Sequence, residues 1–162
     1  MEYQVRKATP DDLPRIEEIY AYARWFMEQT GNPNQWGKTN PPHAWLVEDI
    51  KKGDLYVITD EENIHGVFYF WIGPDPTYGE IEDGEWRYHT PYGTIHRIAS
   101  DGSGGILRTA VNFCKSIINH IRIDTHHDNI IMQNAVVKLG FQRSGIIHLA
   151  NGSPRIAYEL YI

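Results

Sequence analysis

Residues 93–124 constrain the fold most tightly. The segment GTIHRIA is apolar and β-branched, SDGSGG carries glycines at 102, 104 and 105, ILRTAVNFC is spaced like a helix, and HIRID reads as a further strand. Strand 93–99, helix 105–119 and strand 120–124 make a β-α-β unit, which demands a parallel crossover with the helix packed on the sheet. The helix's inner face is predicted as Ile106, Ala110, Phe113 and Ile117.

The chain before this unit is of a different kind. EYQVRKA at 2–8 alternates like a strand. A helix follows, with Thr9 as N-cap, Pro10 as its first residue and Asp12 closing a capping box. Leu13, Ile16, Tyr20, Ala23 and Met27 form its apolar stripe, and Gly31 and Pro33 end it. Residues 32–43 read as a loop containing Trp36, and 44–52 as a short helix. Strands at 54–59 and 64–73 flank a turn at Asp60–Asn63. Residues 74–91 are polar, acidic and aromatic, and read as a long surface excursion of the kind that often carries function. After the crossover unit, Asp128 or Asn129 caps a helix closed by Gly140, and 141–162 form two strands turning at Asn151–Gly152. The expected fold is therefore α/β: a mixed sheet of seven strands flanked by four helices, in a single domain spanning 1–162.

Hydrophobic residues make up 41% and charged residues 22%, the balance of a globular domain with a real core. A single cysteine, Cys114, rules out an internal disulfide framework and suits a reducing compartment; its helical position reads as a small buried hydrophobe. No apolar run approaches the ~18 residues of a membrane span, and the N-terminal stretch lacks an apolar signal core, so a cytoplasmic location is expected. The net charge of −6 is unevenly spread: residues 1–90 hold 17 acids and 8 bases, residues 91–162 hold 4 acids and 7 bases. A phosphate-bearing ligand suits the second part and a cationic one the first. No dense basic stripe marks a nucleic-acid surface.

The glycine loop lies in the positive part. A helix N-terminus offers unsatisfied N–H groups and partial positive charge, and glycines let those groups approach an anion such as a pyrophosphate. A plain βα turn is the alternative. A P-loop is excluded because Gly105 is followed by Ile106–Leu107 rather than Lys-Ser/Thr. The dinucleotide fingerprint fails because Leu107 stands where its last glycine belongs. A coenzyme A site remains.

Four stretches together resemble the GNAT family of N-acetyltransferases: YQVRKATPDDLPRIEEIYAYAR, GTIHRIASDGSGGILRTAVNFC, IDTHHDNIIMQNAVVKLGFQRSGII and GSPRIAYELYI. They span nearly the whole chain in the family's order. The resemblance implies acetyl-CoA as co-substrate, with no metal, and a sheet whose strands splay after the fourth to admit the pantetheine arm. By the same resemblance, that arm would pair with the backbone of Ile98, Ala99 and Ser100. The pyrophosphate would lie on amides of Ser103, Gly104, Gly105, Ile106 and Leu107, and Asn129 would bond the pantetheine. Two departures stand out: the loop lacks the family's usual basic residue, and Val136 occupies the slot of the tyrosine that protonates the departing thiolate in many members. Tyr158 or solvent is left for that role.

The implied reaction is attack of a neutral primary amine, on a small molecule or a peptide, at the acetyl thioester. His96 is the candidate base, directly or through a water. Strict alternation would place His96, Ile98 and Ser100 on one face and Arg97, paired with an acid, on the other. Trp36, Trp71, Trp86 and Tyr88 are candidate walls of an acceptor pocket. Among the acids from Glu80 to Glu85, Glu85 is the candidate substrate contact. His126, His127 and Asp128 form a metal-like trio on paper, but adjacent residues leaving a strand diverge, which favours capping. The C-terminal hairpin offers an edge through which a homodimer would form. Two other functions fit the same residues: a non-catalytic acyl-CoA-binding sensor of this fold, and a hydrolase built on the 126–128 trio.

Overall fold

A computed structural model describes residues 2–162. Seven strands form one sheet: β1 (Gln4–Lys7), β2 (Leu55–Thr59), β3 (Ile64–Ile72), β4 (Gly93–Ser100), β5 (His120–Thr125), β6 (Gln142–His148) and β7 (Pro154–Tyr161). Four helices accompany them: α1 (Leu13–Gln29), α2 (His43–Lys52), α3 (Ile106–Lys115) and α4 (Ile130–Lys138). The spatial order is β1-β2-β3-β4-β5-β7-β6, antiparallel throughout except for the β4–β5 pair. The mixed sheet and its flanking helices are those expected.

Local chemistry explains most boundaries. The Asp12 carboxylate accepts the Thr9 amide at 2.8 Å and is gripped by Arg6 at 2.7 Å, so the chain enters α1 through a single 3-10 turn, Pro10–Asp12. Gly53, at φ 76°, closes α2 in a left-handed cap that other residues resist. Asn129 is the cap of α4, its side chain accepting the Met132 amide at 3.0 Å. Helix α3 ends at Lys115 rather than 119, so Ile117 leaves the inner face and is exposed, while Cys114 is fully buried and burial pushes its thiol pKa up.

The sheet has two differently covered faces. On one, α3 and α4 bury Phe68, Phe70, Ile95, Ile121 and Ile123. On the other, α1 and α2 cover Leu55, Val57 and Val67. Beyond those helices the same face is covered by the excursion at 74–92, whose Tyr78 and Trp86 pack on Ile147 and Ala157. A buried polar cluster fixes this excursion. The Glu159 carboxylate receives the Arg87 amide and the Ser144 hydroxyl, both at 2.8 Å, and lies 2.8 Å from His120. Arg122 sits 3.4 Å from Glu159, sandwiched between the rings of Trp86 and Tyr92. These bonds hold the Glu159 carboxyl down to about 2, against a burial effect that would raise it.

The excursion also reaches the edge of the sheet. Glu82 pairs with Ile146 of β6 through both backbone bonds, and Asp83 holds Arg143. The hairpin edge expected to be free is thus partly occupied by the chain itself.

Candidate active site

Strands β4 and β5 pair only over Gly93–Ile95 and Ile121–Ile123. Beyond that, β4 continues along β3, ending with Ser100 opposite Gly66, while β5 continues along β7, with Thr125 opposite Ile156. The two strands part and leave a wedge. A β-bulge adds to the divergence: Val67 faces Ala99 and Tyr69 faces His96, so Phe68 spans both Arg97 and Ile98. Arg97 takes φ 51°, and its carbonyl accepts the hydroxyl of buried Tyr20 at 2.7 Å.

The bulge corrects the expected facing of side chains. His96 and Arg97 both contact the ring of Tyr69, and Arg97 pairs with Asp49 of α2. Ile98 instead joins the core under α3 and α4, while Ala99 packs beneath α1. His96 and Ile98 therefore lie on opposite faces, because one extra residue reverses the alternation.

At the end of β4 the chain turns into α3. Gly105 has φ 81°, in the left-handed region where a side chain is strained. Gly66 makes room for the helix start: a Cβ there would meet Ile106 Cγ2 at 2.6 Å. The amides of Gly104, Gly105, Ile106 and Leu107 have no hydrogen-bond acceptor among the described residues, and these bare donors fit an anionic group such as a pyrophosphate. Ser103 differs from expectation. Its amide is already given to Asp101 at 3.0 Å, because the turn folds back on that carboxylate. Asp101 is itself held by Arg15 at 2.9 Å and His65 at 2.8 Å, which neutralise it beside the loop. The Ser100 hydroxyl bonds the Ser103 carbonyl, so both serines shape the turn.

A cavity of about 480 Å³ lies at the wedge, within the range of small-molecule sites. Ile98, Ile123, Asn129 and Met132 line one part of it. Trp36, Asp75, His96, Asp124 and Arg155 line the other. His96 Nε2 lies 2.7 Å from Asp75. Three groups converge on the Asp75 carboxylate: His96 and both the amide and hydroxyl of Thr77, at 2.8 and 2.6 Å. Burial alone would raise its pKa, but these donors bring it down to about 2. Asp75 is thus an ionised acceptor and His96 Nε2 is the donor, so Nδ1 is the ring atom left to exchange a proton. Nδ1 stands 3.9 Å from Asp124, whose carboxylate also receives the buried Tyr78 hydroxyl at 2.6 Å.

The other expected site residues divide clearly. Trp36 lines the cavity and packs edge-on against Tyr20. Trp71, Trp86 and Tyr88 do not line it: Trp71 is exposed on β3, Trp86 stacks on Arg122 and Tyr88 on Tyr161. Glu85 is not brought to this cavity. It is exposed, since residues 79–85 run along the edge strand β6 and turn their acids to solvent. Asn129 lines the cavity, with its amide nitrogen donating to Gln35 at 3.0 Å. Val136 and Tyr158 are both buried in the core under α3 and α4, and no tyrosine lines the cavity. The ligand atoms of His126, His127 and Asp128 lie within 4.8 Å of one another, but His126 Nδ1 already accepts the Asp128 amide at 3.0 Å. Asp75, Asp124 and Arg155 escaped the sequence reading, because nothing local separates them from ordinary loop and strand residues.

No family model matches the chain, and no curated protein matches it. Solved structures do. An acetyltransferase of the GNAT family from Streptococcus agalactiae superposes with a TM-score of 0.90 at 27% identity, covering 99% of this chain and 95% of that one. The chain has the fold of the GNAT acetyltransferases. A GNAT-family acetyltransferase from Listeria monocytogenes matches with a TM-score of 0.73 at 19% identity, covering 100% and 96% of the two chains. The Salmonella typhimurium protein yncA, solved with its cofactor acetyl-CoA, matches at 0.62 and 14% identity over 98% and 93%. Many neighbours of this GNAT fold are named acetyltransferases. Among the described residues no helix is long and apolar enough to cross a membrane.

Proposed function

We propose that the chain is an acetyl-CoA-dependent N-acetyltransferase acting by direct attack of a primary amine on the thioester. One observation carries this reading: a histidine held by an ionised aspartate, His96 and Asp75, lines the same cavity as the parted ends of β4 and β5. Acetyl-CoA, when bound, supplies an acetyl group on a good leaving group. The bare amides of Gly104 to Leu107 would hold its diphosphate, and the unpaired edge of β4 from Ile98 to Ser100 would receive its pantetheine arm. Ser103 contributes turn geometry rather than a free donor.

The amine nitrogen forms a bond to the acetyl carbon as the carbon–sulfur bond breaks, and the proton lost by the amine is balanced by one gained by the thiolate. His96 Nδ1 takes the amine proton. Asp75 fixes the ring's orientation, and Asp124 faces the proton's new position at 3.9 Å. Alignment of the two reactants in one cavity can itself supply up to ~7–11 kcal/mol of the acceleration. The thiolate is protonated from water or from His96, since neither Val136 nor Tyr158 reaches the cavity.

The test is thiol release from acetyl-CoA with a panel of primary amines. Amine-dependent thiol release that vanishes in His96→Ala supports the reading. Tight acetyl-CoA binding with no thiol release from any amine replaces it by the sensor function.

A further inference from the structure

Two arginines are buried in the described residues, and their surroundings differ. Arg122 is 5% exposed and has Glu159 at 3.4 Å. Arg155 is 6% exposed and has no carboxylate within ion-pair distance. Its guanidinium meets only neutral oxygens: the Ser153 hydroxyl at 2.5 Å, the Pro154 carbonyl at 2.9 Å and the Gln35 carbonyl at 3.3 Å. Yet it lines the cavity. A buried cation without a counter-charge is expensive, and a guanidinium is the side chain best shaped to take a carboxylate through two parallel bonds. Burial lowers the Arg155 pKa, with Asp124 opposing that effect.

Its place in the sheet fixes what it can reach. Asp124 lies opposite Ala157 in the β5–β7 ladder, so Arg155 is its diagonal neighbour on the same face. Such neighbours are ~7–8 Å apart. The cavity therefore presents carboxylates beside His96 and, a few ångströms along β7, an uncompensated cation. The bare amides at Gly104–Leu107 belong to a different corner, bordered by Tyr3, Tyr22 and His65. A diphosphate held there leaves Arg155 without a partner.

We propose that the acceptor is an amino acid, with its amino group directed to His96 and its carboxylate bound by Arg155. This rests on the acetyl-transfer reading above and names its substrate class. Arg155 is then the specificity-determining residue, and the 32–41 loop, through the Gln35 carbonyl, helps aim its guanidinium.

The experiment compares each protein amino acid with its own carboxamide as acceptor, by thiol release from acetyl-CoA. The carboxamide's amine is the weaker base and is more fully deprotonated near neutrality, so amine reactivity alone favours it. We expect at least one amino acid to exceed its carboxamide about a hundredfold in kcat/KM, chiefly through KM. Arg155→Gln should bring that ratio close to one while the Kd for acetyl-CoA stays within twofold. Arg155→Lys, which keeps the charge but loses the planar fork, should lower the ratio about tenfold and serves if the glutamine variant does not fold. Carboxamides accepted as well as amino acids, or a ratio unchanged in both variants, overturns the inference and leaves acetyl transfer standing. A tenfold loss of acetyl-CoA affinity in Arg155→Lys reassigns the residue to the cofactor and also overturns it. Thiol release from no compound overturns the inference together with the reading beneath it.

Discussion

The two ends of the proposed site offer a ligand different chemistry. The proposed cofactor end is made of backbone: four bare amides at the start of α3, outside the cavity lining, and the edge of β4 that no longer pairs with β5, both within residues 98–107. The proposed acceptor end is made of side chains gathered from distant places, namely Trp36 in a loop, Asp75 in the excursion, His96 on β4, Asp124 on β5 and Arg155 on β7. Backbone recognition tolerates changes of side chain but not of φ or of nearby charge. Side-chain recognition depends on the identity of each residue and on the charges beside it.

Substitutions at each end test this contrast, and His96→Ala should have the largest effect. Loss of general base catalysis typically costs ~10²–10⁴-fold in kcat, while acetyl-CoA affinity should hold within twofold because His96 lies outside the amide cradle. A pH–rate profile identical to that of the native protein would remove His96 as the base.

Glu159→Gln probes the scaffold that delivers Asp75. Leaving His120 and Arg122 buried without their carboxylate should cost ~3–5 kcal/mol of stability, measured by urea unfolding. The pH dependence has a definite sign. The Glu159 pKa falls from its ordinary 4.5 to about 2 on folding, so its contribution is complete above 4.5 and disappears as pH drops toward 2. The variant should therefore show a shallower acid limb over that window; parallel limbs would mean that Glu159 does not set acid stability.

Gly105→Asp attacks the cofactor end, adding a negative charge and a side chain at φ 81°. Coenzyme A affinity should fall about a hundredfold, two decades being ~2.7 kcal/mol, and calorimetry showing less than a twofold change would contradict the cradle. Asp75→Asn retains a hydrogen-bond partner for His96 but not the charge. We expect roughly a hundredfold loss in kcat, the low end of general-base effects, with cofactor binding intact. The smallest effect belongs to Gly104→Ala. A Cβ there meets nothing within 4 Å, and the amide is retained, so coenzyme A affinity should change less than about twofold, under ~0.4 kcal/mol. A large loss would show that the loop must flex as well as donate.

Much of the fold was legible because its signals are local. The capping residues Thr9, Asp12 and Asn129 and the closing Gly140 mark helix ends within a few residues, and the β-α-β unit prescribes its own parallel pairing. The glycine loop and its bare helix start were legible for the same reason, lying in one strand–loop–helix stretch, though the Ser103 amide turned out to be spent on Asp101. The facing of β4 was misjudged because a bulge at Arg97 leaves no mark in a run of β-branched residues. The place of Glu85 was not legible because acidity in a loop says nothing of which way the loop runs.

The sequence by itself determined the order of elements, the mixed sheet and the place of the bare helix N-terminus, since periodicity, caps and glycines act over a few residues. Only the tertiary structure decided that Asp75 orients His96, that Glu85 faces water and that Arg155 is buried without a counter-ion. Those relations depend on the parting of β4 from β5 and on where the excursion settles, and both come from contacts between residues far apart in the chain.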